Sequence, residues 1–134
     1  MSNVKKIVLG MVCIMVLTVG ILGGRYLISV QKYKKIIRES KISSVDLSKV
    51  SDGKYTGSCD AVYVGAKVSV TVKDHKIEDI ILLNHKNERG KPAEVIIQKV
   101  IDAQSLQVDS VSGATNSSKV ILKSIENALK SGYR

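Results

Sequence analysis

The sequence predicts an α+β fold: a small antiparallel sheet packed with two helices, preceded by one N-terminal transmembrane helix. Three patterns carry this expectation. An uncharged run of eighteen residues, 7–24, lies near the N-terminus. Residues 67–73 (KVSVTVK) alternate cleanly, with Val68, Val70 and Val72 on one side and Ser69, Thr71 and Lys73 on the other, as in a half-buried strand. Near the C-terminus, apolar residues recur at helical spacing.

The run IVLGMVCIMVLTVGILGG has Thr18 as its only polar side chain. As a helix it rises about 27 Å, close to the roughly 30 Å hydrocarbon core of a bilayer. Tyr26, Leu27 and Ile28 can extend the span while the Arg25 head snorkels to the interface. A cleavable signal peptide is the alternative. The apolar run is longer than a usual signal core, no A-x-A-like site follows it, and Cys13 lies too early for a lipoprotein signal. The expectation is therefore an uncleaved anchor over residues 1–28, a basic juxtamembrane stalk over 29–51 with no strong period, and one small domain over 52–134.

The formal charge of +9 raises the question of nucleic acid, but Lys5, Lys6, Arg25, Lys32, Lys34, Lys35 and Arg38 all flank the span. Such a run suits anionic membrane lipids. No nucleic-acid motif accompanies it, and Phe and Trp are absent, so base-stacking platforms are scarce and no nucleic-acid partner is expected. Cys13 and Cys59 fall in bilayer and head respectively, and neither has metal-ligand spacing; no metal site is expected.

Within the head, Asp52-Gly53 opens as a turn and residues 54–59 form a strand, with Gly57 as a bulge candidate. Residues 61–64 either continue that strand or start the next. Asp74-His75 suits a two-residue hairpin, although Gly fits the second position better. Residues 76–84 return as a strand whose alternation breaks at 80–83, signalling a bulge or burial on both faces. Pro92 begins a helix, with Glu94 in its first turn and Ala93, Ile96, Ile97, Val100 and Ile101 as its stripe. Residues 105–111 are read as a further short strand. The last helix runs from about Ser117 to Lys130, burying Val120, Ile121, Ile125, Ala128 and Leu129, and Gly132 stops it.

Residues 109–118 (DSVSGATNSS) concentrate small and hydroxyl-bearing side chains before that helix. Unpaired backbone N–H groups and the positive end of the helix dipole converge there, and Gly113 and Ala114 allow close backbone approach, which makes an anion site. Ser112, Thr115, Ser117 and Ser118 would add donors. The alternative is that Asn116 or Ser117 only caps the helix.

Asp109, Ser110, Val111, Ser112, Gly113, Ala114 and Thr115 resemble the flavinylation motif of the FMN-binding domain family: Asp, two residues, Ser or Thr, Gly, Ala, then Thr or Ser. DGKYTG at 52–57 is similar to the family's opening strand, and KVSVTVKDHKIEDI at 67–80 to its hairpin. The resemblance implies FMN joined by a phosphoester to Thr115, installed from FAD by a separate Mg²⁺-dependent flavin transferase that recognises Asp109. It also implies cofactor contacts from Ser112, Gly113, Ala114 and Asn116. The loop 84–94 differs from that of the large respiratory subunits, so contacts from His85 and Arg89 stand beside the alternative of a solvated charged loop. Tyr55 and Tyr63 are the sheet-region aromatics able to stack on the ring, with core or surface roles as alternatives.

The same resemblance implies an extracytoplasmic electron-transfer carrier served by a membrane electron donor or reductase partner. A flavin-bearing subunit of a multi-chain reductase and a non-redox envelope-binding module are the alternatives. Topology draws two opposing expectations. The family's transferase works on the outer face of bacterial membranes, whereas the basic residues after the span favour the cytoplasm by the positive-inside rule. The outside location is the expectation carried forward.

Overall fold

The computed structural model describes residues 2–86 and 90–134. Its first element, α1 (Ser2–Glu39), is one continuous helix of 38 residues. At 1.5 Å per residue it rises about 57 Å, well beyond the roughly 30 Å that a hydrocarbon core needs. It is long and apolar enough to cross a membrane, and none of its apolar window is buried against the head. The stretch after the span is helical as well, and its Ile37 packs into the head's core.

The sheet is a three-stranded antiparallel meander in the order β1 (Gly53–Ala61), β2 (Val64–Lys73) and β3 (Lys76–Lys86). Asp74 and His75 form the β2–β3 turn with φ of 51° and 59°. Two positive values match the twist of a tight hairpin, which His75 adopts without being glycine. The broken alternation in β3 comes from bulges: the β2–β3 register shifts twice, leaving Glu78 and Leu83 as extra residues. Ile81 and Leu83 are exposed rather than buried on a second face.

The β1–β2 register is continuous through Gly57, so the expected bulge there is absent. Glycine is needed for another reason. A Cβ at Gly57 would stand 2.1 Å from Ser124 O and 2.4 Å from Ala128 N, because α3 (Thr115–Ser131) lies directly on β1.

The inner face of the sheet, built by Val68, Val70, Val72, Ile77 and Ile80, meets the fully buried stripe Val120, Ile121, Ile125, Ala128 and Leu129 of α3. A 3₁₀ turn at Lys91–Val95, with Pro92 in its first positions, leads into α2 (Ile96–Ala103), which buries Ile96 and Val100. Residues 105–111 form no strand. Gln104, left-handed at φ 50°, ends α2 and turns its amide to the free edge of β3. That amide accepts from Ile77 N at 2.7 Å and donates to Ile77 O at 2.8 Å, the two bonds a fourth strand would otherwise have made there. Leu106 then pins the following chain to the core.

The two ends of the head are stitched together. Val50 bridges Tyr133, Ser51 N donates to Gly132 O at 2.9 Å, and Arg134 N donates to Lys49 O at 3.0 Å. Gly132 ends α3 at φ −95°, not in the left-handed region; a side chain there would collide with the Tyr55 ring.

Candidate functional site

The loop before α3 is organised by one buried hydroxyl. Ser118 Oγ accepts from Val111 N at 3.0 Å and donates to Ala114 O at 2.8 Å, folding the loop back over the first turn of the helix. Ala114 N closes the same turn on Val111 O at 3.0 Å, and Gly113 passes through it with φ +77°. Ser118 is fully buried and committed to this task, so it is not a donor to a ligand.

The helix starts at Thr115, two residues before the expected start, with Ala114 as its N-cap and no side-chain cap bond. The capping alternative for Asn116 or Ser117 therefore fails. Asn116 Nδ2 donates instead to the Tyr33 hydroxyl at 2.7 Å, and Ser117 is buried. The N–H groups of the first turn have no acceptor within the helix, and no acidic residue lies in that turn. This end of α3 consequently presents donors and positive potential, with the exposed Thr115 among them.

A cleft of about 650 Å³ opens beside Thr115. Gly113, Ala114, Thr115, Asn116 and Ser117 form one side of it. Tyr26, Val30, Tyr33 and Lys34 of α1 also line it, and Tyr63, Val64 and Gly90 complete it. Tyr63 is set by the β1–β2 turn: Val62 takes φ 67°, its N–H donates to Asp60 Oδ1 at 2.9 Å, and Lys86 Nζ donates to its carbonyl. The Tyr33 and Tyr63 rings meet edge to face, with centroids 5.5 Å apart and planes at 77°.

The expected site residues thus divide. Gly113, Ala114, Thr115 and Asn116 come together at the cleft. Ser112 and Asp109 are exposed on the preceding loop. His85 lies at the end of β3, its side chain only 3% exposed, with Nδ1 3.0 Å from Glu94 Oε1, and it is not among the cleft's lining residues. Arg89 lies outside the described residues. Of the two sheet tyrosines, Tyr63 faces the cleft, whereas Tyr55 packs under Gly132 and donates to Ser51 O at 2.8 Å. Reading the sequence missed the α1 wall. Tyr26, Val30, Tyr33 and Ile37 do follow helical spacing, which is the signal that could have revealed it.

A second missed residue, Glu126, fixes the wall in place. Its carboxylate is fully buried and accepts from Lys123 Nζ, Lys130 Nζ and the backbone N–H of Ser43, tying the segment after α1 to α3. Burial pushes its pKa up, but those hydrogen bonds outweigh burial and hold it below the ordinary value.

Residues 65–130 match the FMN-binding domain family. NADH:acrylate oxidoreductase of Vibrio harveyi is 37% identical over 84 residues, which cover 60% of this chain and 8% of that protein. The chain therefore spans less than a tenth of the length of that relative. Through residues 65–130, this chain belongs to the FMN-binding domain family.

Proposed function

We propose that the chain is a membrane-anchored flavoprotein that carries FMN covalently on Thr115 and transfers electrons outside the cytoplasmic membrane. Residues 1–28 serve as anchor, 29–51 as the connection and 52–134 as the flavin domain. The observation that carries this reading is the position of Thr115: exposed, in the first turn of an uncapped helix, at the rim of a cleft. The cleft volume falls within the roughly 300–1,000 Å³ typical of small-molecule sites. A phosphate on Thr115 Oγ1 would meet the free N–H groups of α3, and Gly113 and Ala114 keep the approach open.

A flavin transferase would perform the attachment, with Asp109 as part of the segment it reads. The Thr115 hydroxyl attacks the FMN-side phosphorus of FAD, the pyrophosphate bond breaks, AMP leaves and the hydroxyl proton is lost. The bound flavin would supply the electron chemistry, while this chain supplies attachment, burial and position. Membrane lipids hold α1, and a membrane electron donor or reductase is the redox partner.

The likeness to a short part of a much longer oxidoreductase favours one second reading, in which this chain is the flavin-bearing subunit of a multi-chain reductase. A flavin-loaded protein that purifies alone supports the carrier; a stably copurifying chain with its own substrate site supports the subunit.

The test is intact-mass measurement of the full chain produced with and without a flavin transferase. The expected result is a gain of one FMN less one water only with the transferase, absent in Thr115→Ala and retained in Thr115→Ser. An unmodified mass with an active transferase would defeat the proposal.

A further inference from the structure

We infer that α1 is one wall of the flavin seat as well as an anchor: Tyr33 of α1, together with Tyr63, holds the ring system of a flavin attached at Thr115. This inference rests on the Thr115 attachment reading. Its own support is the cleft. Thr115 and Tyr33 line the same cavity, and Asn116, the residue after Thr115, donates to the Tyr33 hydroxyl at 2.7 Å. A flat aromatic group tethered at Thr115 is thereby offered two tyrosine rings and the apolar side chains of Val30 and Val64.

Membrane anchoring does not account for Tyr33. Tyrosines at the end of a span commonly sit at headgroup level, which suffices for Tyr26, two residues after the apolar run. Tyr33 lies five residues past the anchor's end at Ile28, about 7.5 Å further along the helix axis, and its ring and hydroxyl are engaged by Tyr63 and Asn116 of the head. It turns to the head on the stripe that ends in Ile37, which is packed into the core. Lys34 adds a cation at the cleft, suited to the phosphate end of the ligand. Tyr33 and Tyr63 are positioning residues in this scheme: they shield the ring and electron-rich tyrosine quenches its fluorescence, while neither bonds the phosphate.

The experiment uses the full chain, loaded by a flavin transferase and held in lipid nanodiscs, with intact mass taken first. Flavin fluorescence and its quenching by iodide are then compared with free FMN in the same buffer. The expected result is a wild-type flavin dimmer than free FMN and poorly reached by iodide. Tyr33→Leu, which keeps an apolar side chain, should brighten it several-fold and open it to iodide at unchanged flavin content. Tyr63→Leu should act in the same direction, and Tyr33→Phe, which keeps a ring of the same shape but not the electron-rich phenol, should brighten the flavin while leaving it as poorly reached by iodide as in wild type. A loaded wild-type flavin as bright and accessible as free FMN, or no response to either leucine variant, would overturn the seat while leaving the attachment intact. An unmodified mass would overturn the attachment reading and the seat with it.

Discussion

A left-handed Gly113 sets the direction in which Thr115 leaves its loop. A Cβ at Gly113 meets nothing within 4 Å, so Gly113→Ala probes backbone strain alone. It should cost about 1–2 kcal/mol in urea unfolding and lower the fraction of chains that gain flavin. Ser118 is the complementary case. Ser118→Ala leaves the Val111 N–H without its partner and should cost about 1–3 kcal/mol by the same measurement. Thr115→Ala, by contrast, removes no cap bond and should stay within about 0.5 kcal/mol of wild type. The motif around Thr115 was legible in the sequence because its information is local. Ser118 was not, because whether a hydroxyl faces a ligand or staples its own loop is decided by how the loop folds back. His85 shows the same limit: its chemistry suits a ligand contact, but β3 places it against Glu94.

The helices and the central hairpin follow from periodicity, and their buried faces are those the apolar spacing marks. Elements whose outcome depends on a neighbour were harder to read. Gly57 resembled a bulge, yet its hydrogen atom only makes room for α3; Gly57→Ala should push the helix away and cost about 3 kcal/mol in chemical denaturation. Residues 105–111 have strand-like composition, but the Gln104 amide already satisfies Ile77 at the edge they would have joined. The stripe Tyr26, Val30, Tyr33 and Ile37 was hidden among lysines, so α1 was expected to give way to a stalk without a period. Glu126 clasps the chain after α1 to α3, and its pKa is depressed in the folded head. A depressed carboxylate stabilises fully above its unfolded value and loses that contribution as pH falls through its folded value. Head stability should therefore decline as pH drops below the ordinary glutamate value of 4.5. Glu126→Gln should cost about 2 kcal/mol at pH 7 and flatten that acid limb, as followed by urea midpoints.

At the scale of the whole molecule, α1 is one continuous helix that runs from a segment long and apolar enough to cross a membrane to the cleft, and its basic residues after that segment are helical too. The positive-inside tendency of Arg25, Lys32, Lys34, Lys35 and Arg38 opposes the proposed outside location of the head. Protease added to intact cells should digest the head if the proposed orientation holds, and protection of the head would favour the charge rule. The most direct measurement is tandem mass spectrometry of trypsin fragments from the chain made with a flavin transferase. Cleavage after Lys99 and Lys119 places the whole motif on one peptide, residues 100–119. The account predicts that this peptide carries one FMN less one water, and that fragmentation locates it on Thr115. FMN located on Ser112, Ser117 or another peptide, or a peptide left unmodified, would contradict it.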